Sequence, residues 1–214
     1  MCGGEGRRLE ATGEKPLVPI EGVPMIDRVL SSLDDSRVET TYAAVSPKAP
    51  ETRDRLVAQG NVTSIETAGD GYVADLLAVL DRPAIEPPIL TVGADLPLLT
   101  GSVLDRVLDR SADGVETGGD TETPSRTVCV PVALKRRLGV SIDSRLEPET
   151  HLAPTGVNVV GRTDESMTDV YYDPRLAVNV NRRGDADVAA DRLSDDGRPG
   201  PGSGSGSGGP DSCA

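Results

Sequence analysis

Three stretches of the chain carry residue types able to do chemistry. Gly3-Gly4-Glu5-Gly6-Arg7-Arg8-Leu9, followed by Glu14-Lys15-Pro16-Leu17, joins backbone freedom to positive charge. Glycines let the main chain approach an anion closely and aim several N–H groups at it, while Arg8 and Lys15 add point charges within reach of the same loop. The result resembles a phosphate cradle. Its spacing excludes two common versions: the G-x-x-x-x-G-K-[ST] loop is absent, and Gly4-x-Gly6-x-x-Leu9 fails at the third glycine of the dinucleotide fingerprint. Taken alone, a Gly-rich terminus with basic residues is as often a plain flexible end.

The second stretch, Ile89-Leu90-Thr91-Val92-Gly93-Ala94-Asp95, is an apolar strand ending in a carboxylate. Ligands of open α/β sheets bind at the carboxyl ends of strands, so Asp95 stands where a Mg²⁺ ligand for a bound nucleoside triphosphate is wanted. The plainer reading is an Asp that caps the following turn. Val178-Asn179-Val180-Asn181 reads as another strand delivering polar groups just before a helix, with Asn179 and Asn181 on one side. His151, the one histidine, reads as a solvated loop residue.

The elements that must position these residues follow a βαβ rhythm from 17 to 193, which points to an α/β domain. Ile26, Val29, Leu30 and Leu33 keep helical spacing after Pro24, Val73, Leu76, Leu77 and Leu80 repeat it, and Ala186, Ala189, Ala190 and Leu193 do so near the end. Strands are expected at Val38–Val45, Val62–Ile65, Ile89–Val92, Val128–Val132, Gly156–Val160 and Leu176–Val180, several of them near-continuous apolar runs suited to burial. Residues 112–126 read as a long polar loop. The expected domain spans 1–194, and 195–214, rich in Gly, Pro and Ser, is expected to be a disordered tail.

Length and charge bound the function. The 214 residues carry 35 Asp and Glu against 22 Lys and Arg, a net charge of −13. A chain this acidic lacks the broad basic patch of a nucleic-acid binder, so a phosphate ligand must be held locally. No run approaches a membrane span and no signal-peptide pattern opens the chain, which makes the cytoplasm the default compartment. Cys2, Cys129 and Cys213 form neither a disulfide framework nor a zinc motif. Lys15, Lys48 and Lys135 are the only lysines, and Phe and Trp are missing, a composition resembling that of salt-in halophiles.

The chain opens Met1-Cys2 directly before Gly3, whereas the phosphate loop of an α/β nucleotide-binding fold should follow a buried, central apolar strand. The expectation is that this start lies several residues too late. An upstream extension of about five or six residues rich in Val, Leu, Ile or Ala would supply that strand. Without it, the crevice should acquire an open, apolar slot.

With Pro24-Met25-Ile26-Asp27 added, the loop resembles the signature of nucleotidyltransferases of the molybdenum-cofactor guanylyltransferase type. Ser46-Pro47-Lys48, Thr67-Ala68-Gly69-Asp70-Gly71-Tyr72, Ala94-Asp95-Leu96, Pro154-Thr155-Gly156-Val157-Asn158-Val159-Val160 and Val178-Asn179-Val180-Asn181 fall in the order of the archaeal adenosylcobinamide-phosphate guanylyltransferase family. The resemblance covers roughly 1–193. It departs at Arg7, where the family has Thr, and at Glu5 and Asp70, often basic there.

The resemblance implies a Rossmann-like, three-layer α/β nucleotidyltransferase fold with a mostly parallel sheet, its first strand truncated here. It implies GMP transfer from GTP to a phosphorylated corrinoid, with Mg²⁺ as cofactor. Arg8, Lys15 and Asp95 would be catalytic. Gly3, Gly4, Gly6, Arg8, Lys15 and Asp95 would hold the nucleotide, with Ser46, Glu66 and Gly71 near the guanine. Gly156 and Asn158 would face the substrate, and Asp95 and Asn181 would bind metal, although Asn181 as a helix cap is an equal reading. A homodimer is compatible with this picture. Competing readings are a molybdenum-cofactor or sugar-phosphate nucleotidyltransferase and a non-catalytic nucleotide-binding module.

Overall fold

The computed structural model describes residues 9, 13–60, 62–112 and 123–196. Gly3, Gly4, Gly6 and Arg8, most of the expected polar loop and most of the expected tail lie outside them. A short 3-10 turn, Lys15–Leu17, leads into a small antiparallel hairpin of β1 (Pro19–Ile20) and β2 (Val23–Pro24). Then come α1 (Met25–Asp34), β3 (Tyr42–Val45), α2 (Pro50–Gln59), β4 (Thr63–Glu66), α3 (Tyr72–Leu80), β5 (Ile89–Val92) and α4 (Gly101–Ala112). The second half holds β6 (Ser125–Pro131), α5 (Val132–Leu138), β7 (Leu152–Val160), β8 (Ser166–Val170), α6 (Pro174–Ala177) and α7 (Arg183–Asp196).

Beyond the β1–β2 hairpin, the described strands form two separate units. β3 and β4 pair in parallel as a two-stranded sheet, and the second sheet has the order β5-β7-β6-β8. There β7 runs antiparallel to both neighbours, while β6 and β8 are parallel. The expectation of a mostly parallel sheet holds in part: β3–β4 and β6–β8 pair in parallel, whereas β7 makes the larger sheet mixed.

Helix α1 forms because its apolar residues recur with the helical period, and Met25, Ile26, Val29 and Leu30 are buried as that period requires. In α3 the expected apolar stripe is only partly used: Val73 and Leu77 are exposed while Asp75 and Val79 are buried. The expected strand at Leu176–Val180 is also corrected. Asp173 accepts a hydrogen bond from the Arg175 amide and caps a helical turn, so Pro174–Ala177 is α6, and 178–180 continues without strand pairing. Strand β8 has a largely polar sequence, Ser-Met-Thr-Asp-Val, which no apolar run announces.

The main core lies on the larger sheet, where Leu96, Val103, Leu104, Val128, Val130, Val157 and Leu176 are fully buried. Each such aliphatic side chain contributes about 1.5–3 kcal/mol through burial. A smaller cluster of Ile26, Leu30, Ala43, Val45, Leu56 and Ala94 joins α1 to β3, α2 and the end of β5. Between the two sheets runs an apolar cleft of about 780 Å³, bordered by Tyr42, Ala43 and Ala44 of β3 and by Ile89–Val92 of β5. Cys129 is buried in β6, and burial reinforced by the Glu149 charge pushes its thiol up to about 11, which keeps it protonated and unreactive.

Candidate nucleotide site

Lys15 opens the 3-10 turn, and the residue before it fixes that turn to the body of the protein. The first amides of α2 have no side-chain cap, because Ala49 stands at the N-cap. Glu14 fills that role from a distance: its carboxylate accepts from the Glu51 N–H at 2.8 Å and the Thr52 N–H at 2.7 Å. An acidic group at a helix N-terminus satisfies orphan donors and meets the positive end of the dipole. The motif Glu14-Lys15-Pro16 thus works as an anchor and a lysine held beside it.

Asp95 arrives from the other sheet, just past the carboxyl end of β5. The Gly93 amide donates to the Gly156 carbonyl at 2.9 Å, which ties the end of β5 to β7. A Cβ on Gly93 would lie 2.7 Å from Asp95 Oδ1, so only glycine leaves room for that carboxylate. Gly156, at φ +88°, adopts a backbone conformation natural to glycine. Lys15 Nζ then donates to Asp95 Oδ2 at 2.7 Å and to Asn181 Oδ1 at 2.6 Å. Lys15, Asp95 and Asn181, drawn from three distant parts of the chain, meet at one point that is about four-fifths shielded from water at the Lys15–Asp95 pair.

The segment bearing Asn181 is held from three sides. The Val180 amide donates to the Asp95 carbonyl at 2.9 Å, and the Asp185 carboxylate accepts from the Asn181 and Arg182 amides at 3.0 and 2.9 Å. Lys135 of α5 supplies the third contact. Its Nζ, nearly removed from solvent, donates to the Ala177 carbonyl at 2.8 Å and to Asn179 Oδ1 at 2.5 Å. Burial holds the Lys135 amine below its ordinary pKa, and the Asp185, Asp95 and Asp143 charges oppose that shift. Asn179 and Asn181 therefore serve different lysines, contrary to the expectation of a shared side; without strand geometry the period-two rule does not apply.

The residues expected around the guanine divide. Ser46 is buried against the Gly69 turn, where a Cβ on Gly69 would come within 2.5 Å of Ser46 Oγ, and Gly69 N–H donates to Asp75 at 2.9 Å. Gly71 sits at the N-cap of α3 with φ +118°. Glu66 instead turns outward, is 72 % exposed and pairs with Arg53 at 3.1 Å. On the expected substrate side, Asn158 Nδ2 donates to Tyr72 Oη at 3.0 Å, and Tyr72 Oη shares a hydrogen bond of 2.9 Å with Thr91 Oγ1. The motifs Gly69-Asp70-Gly71-Tyr72 and Gly156-Val157-Asn158 thereby meet through side chains. His151 is exposed, as expected.

Among the described residues no three His, Cys, Asp or Glu side chains cluster as a full metal cage. Asp95 and Asn181 nonetheless offer two hard oxygen donors that already converge on a cation, the Lys15 ammonium. That donor set fits Mg²⁺, which takes one or two protein oxygens and completes its shell with phosphates and water.

Separate strand units carrying a lysine and a carboxylate to one crevice at the strand ends form an α/β fold with its ligand-binding crevice in the usual place. Solved structures agree: a hypothetical transferase from Thermus thermophilus superposes with a TM-score of 0.62 at 18% identity, over 87% of this chain and 96% of that one. A CMP:2-keto-3-deoxy-manno-octonic acid synthetase complexed with CTP gives 0.59 at 15% identity, over 88% and 95%. The model of the MobA-like NTP transferase domain matches residues 1–166, and the chain belongs to that family. Among curated relatives, the adenosylcobinamide-phosphate guanylyltransferase of Methanocaldococcus jannaschii is 28% identical over 202 residues, covering 92% of this chain and 97% of its own. The 2-C-methyl-D-erythritol 4-phosphate cytidylyltransferase of Shouchella clausii is 23% identical over 199 residues, 81% and 86% of the two chains.

Proposed function

We propose that this nucleotidyltransferase moves GMP from GTP to adenosylcobinamide phosphate, releasing pyrophosphate and leaving adenosylcobinamide-GDP. The observation that carries the reading is the meeting of Lys15, Asp95 and Asn181 within 2.7 Å contacts at the strand ends. Near-full-length likeness to the Methanocaldococcus jannaschii enzyme supports the acceptor. A phosphate nucleophile is ionised near neutral pH, so the site requires no general base, and the exposed His151 is consistent with that.

In this reading the chain positions and neutralises. The amides of Gly3, Gly4 and Gly6 and the Arg8 guanidinium hold the departing pyrophosphate, and Lys15 leaves its ion pair to contact the α-phosphate. Asp95 and Asn181 would hold the divalent cation, which when bound supplies charge neutralisation at the phosphates. Ser46 and the Gly69–Gly71 turn border the base, and Asn158, braced by Tyr72, faces the acceptor. The acceptor phosphate attacks the α-phosphorus as the bond to the β-phosphate oxygen breaks, so catalysis rests on alignment and electrostatics. No described helix is long and apolar enough to cross a membrane. A cytoplasmic enzyme adapted to molar salt accords with the net charge of −13.

Incubation with Mg²⁺, each nucleoside triphosphate and a panel of acceptors, followed by pyrophosphate release, tests the reading. GTP with adenosylcobinamide phosphate should far outpace other pairs. Faster turnover of CTP with a sugar or polyol phosphate would replace it with a cytidylyltransferase.

A further inference from the structure

Two lysines serve the segment that carries Asn179 and Asn181, and the fold holds them differently. Lys135 is 3 % exposed and commits its ammonium to the Ala177 carbonyl and Asn179 Oδ1. Lys15 is partly buried, and its Nζ bridges Asp95 Oδ2 at 2.7 Å and Asn181 Oδ1 at 2.6 Å. One ammonium therefore engages both oxygens that suit a divalent cation. A small hard cation takes such oxygens at about 2.0–2.1 Å, so it and the Lys15 ammonium would share one narrow space as like charges. Each displaces the other.

Other contacts hold the two oxygens in place. The Asp95 carbonyl accepts from the Val180 amide at 2.9 Å, and Gly93 leaves room for the Asp95 carboxylate. The Asp185 carboxylate accepts from the Asn181 and Arg182 amides at 3.0 and 2.9 Å and from the Ser141 amide and hydroxyl at 2.7 and 2.8 Å. The oxygen pair is thus built into the frame. Lys15 has its main chain tied down, since the Val18 amide donates to its carbonyl at 3.2 Å and Glu14 caps α2. Its four-carbon stem, however, ends in a rotatable ammonium. The charges of Asp95, Asp143 and Asp185 all act on the neighbouring Lys135, so this end of the crevice favours cations in general. Lys15 answers that field until a stronger anion draws it off, and a triphosphate at the strand ends is such an anion.

We propose that Lys15 is an internal competitor for the cation position: its ammonium holds Asp95 and Asn181 in the nucleotide-free state and yields them when a phosphate chain takes it, so that cation and nucleotide bind as a coupled pair. By linkage, each then raises the affinity for the other. The inference rests on the reading of Asp95 and Asn181 as cation ligands under the proposed function and is independent of the base and the acceptor.

Mn²⁺ serves as the probe, its free fraction read by electron paramagnetic resonance in titrations of the full chain without nucleotide. Lys15→Met and Lys15→Gln should each bind Mn²⁺ about tenfold tighter than wild type, the factor expected if Lys15 occupies the oxygens about nine-tenths of the time. Adding Asp95→Asn to Lys15→Met should abolish that gain. Lys135→Met is the control for charge: it also removes a positive charge beside the same carboxylates, yet it loosens the Asn181 segment and should bind Mn²⁺ no tighter than wild type. Equal tightening by Lys15→Met and Lys135→Met would make the effect one of net charge and overturn the proposal. So would unchanged affinity in both Lys15 variants, or a gain that survives Asp95→Asn, which would put the cation away from the junction. None of these readouts depends on turnover, so a preference for CTP or another acceptor in the pyrophosphate assay would change the proposed reaction and leave this inference standing.

Discussion

The two sides of the cleft are built to different standards. The four-stranded side packs α4, α5 and α6 against a continuous aliphatic core and closes its far edge with a buried Arg126–Asp169 pair at 3.1 Å. The β3–β4 side has two four-residue strands and rests on smaller clusters, one of them only Ala44, Ile65, Val79 and Ile85 with Ile89 beside it. Yet the candidate site draws on both: Asp95 and Asn181 come with the large sheet, and Lys15 is fastened through Glu14 to α2 on the small side. The larger half presents the oxygen ligands and the lighter half brings the lysine, with α1 packed into the cores of both.

The largest effect expected from this division is at the junction itself. Lys15→Met and Asp95→Asn should each lower nucleotidyl transfer by about a hundredfold or more with little change in Tm, since each removes charge that acts on the reacting phosphates. Steady-state pyrophosphate release and thermal melts check both. Turnover within a few-fold of wild type in either variant would detach the junction from the chemistry.

Next comes the support of the ligand segment on the large side. Lys135→Met keeps the length of the side chain and removes the ammonium that holds the Ala177 carbonyl and Asn179. It should raise the Mg²⁺ concentration required for half-maximal rate about ten- to a hundredfold, as loss of outer-shell partners does. A fall in kcat with unchanged Mg²⁺ dependence would show that Lys135 supports the fold without positioning Asn181.

The unequal packing is tested by one substitution made twice. Val130→Ala in the large core should cost about 2–3 kcal/mol, the lost transfer energy plus a cavity. Val79→Ala, whose side chain already borders the cleft, should cost about 1 kcal/mol, because no new closed void is made. Urea denaturation midpoints at constant m give both values, and equal costs would erase the distinction between the halves.

The sequence disclosed these regions unevenly too. β5 and Asp95 were legible because a buried apolar run ending in a carboxylate is a local pattern. Lys15 was legible because the glycines, arginine and lysine of the loop fall within a few residues. Lys135 was not: it stands in Val-Ala-Leu-Lys-Arg-Arg-Leu, and nothing in three adjacent basic residues tells which one is buried against a segment 44 positions away. In the sequence Gly93 reads only as part of a strand, since its role depends on the nearness of a carboxylate two residues on. Glu14 shows no role in the sequence because its partners are amides of a helix that begins at Pro50. Leu176–Val180 differs from the expected strand because an apolar run of that length suits a strand or a buried helical turn, and the deciding cap comes from Asp173.

The smallest effect concerns acid stability, and it separates the halves by charge rather than packing. Asp173, buried between α4 and α6, is surrounded by Arg175, at 2.8 Å, and Arg106. Desolvation works to raise its pKa, but the hydrogen bonds from Arg175 and Arg106 outweigh it and hold the carboxyl below its ordinary 3.8. A carboxylate favoured in the folded state contributes stability that is fully present above the unfolded pKa and is lost as pH falls through the lower folded value. The gap in unfolding free energy between wild type and Asp173→Asn should therefore be constant from pH 7 down to about 5 and should close progressively below about 4. Melting curves at pH 7, 5, 4 and 3 measure it. A gap already absent at pH 7 would mean that Asp173 acts through the cap on α6, which an amide oxygen also serves, and that the large half owes no acid-labile stability to this ion pair.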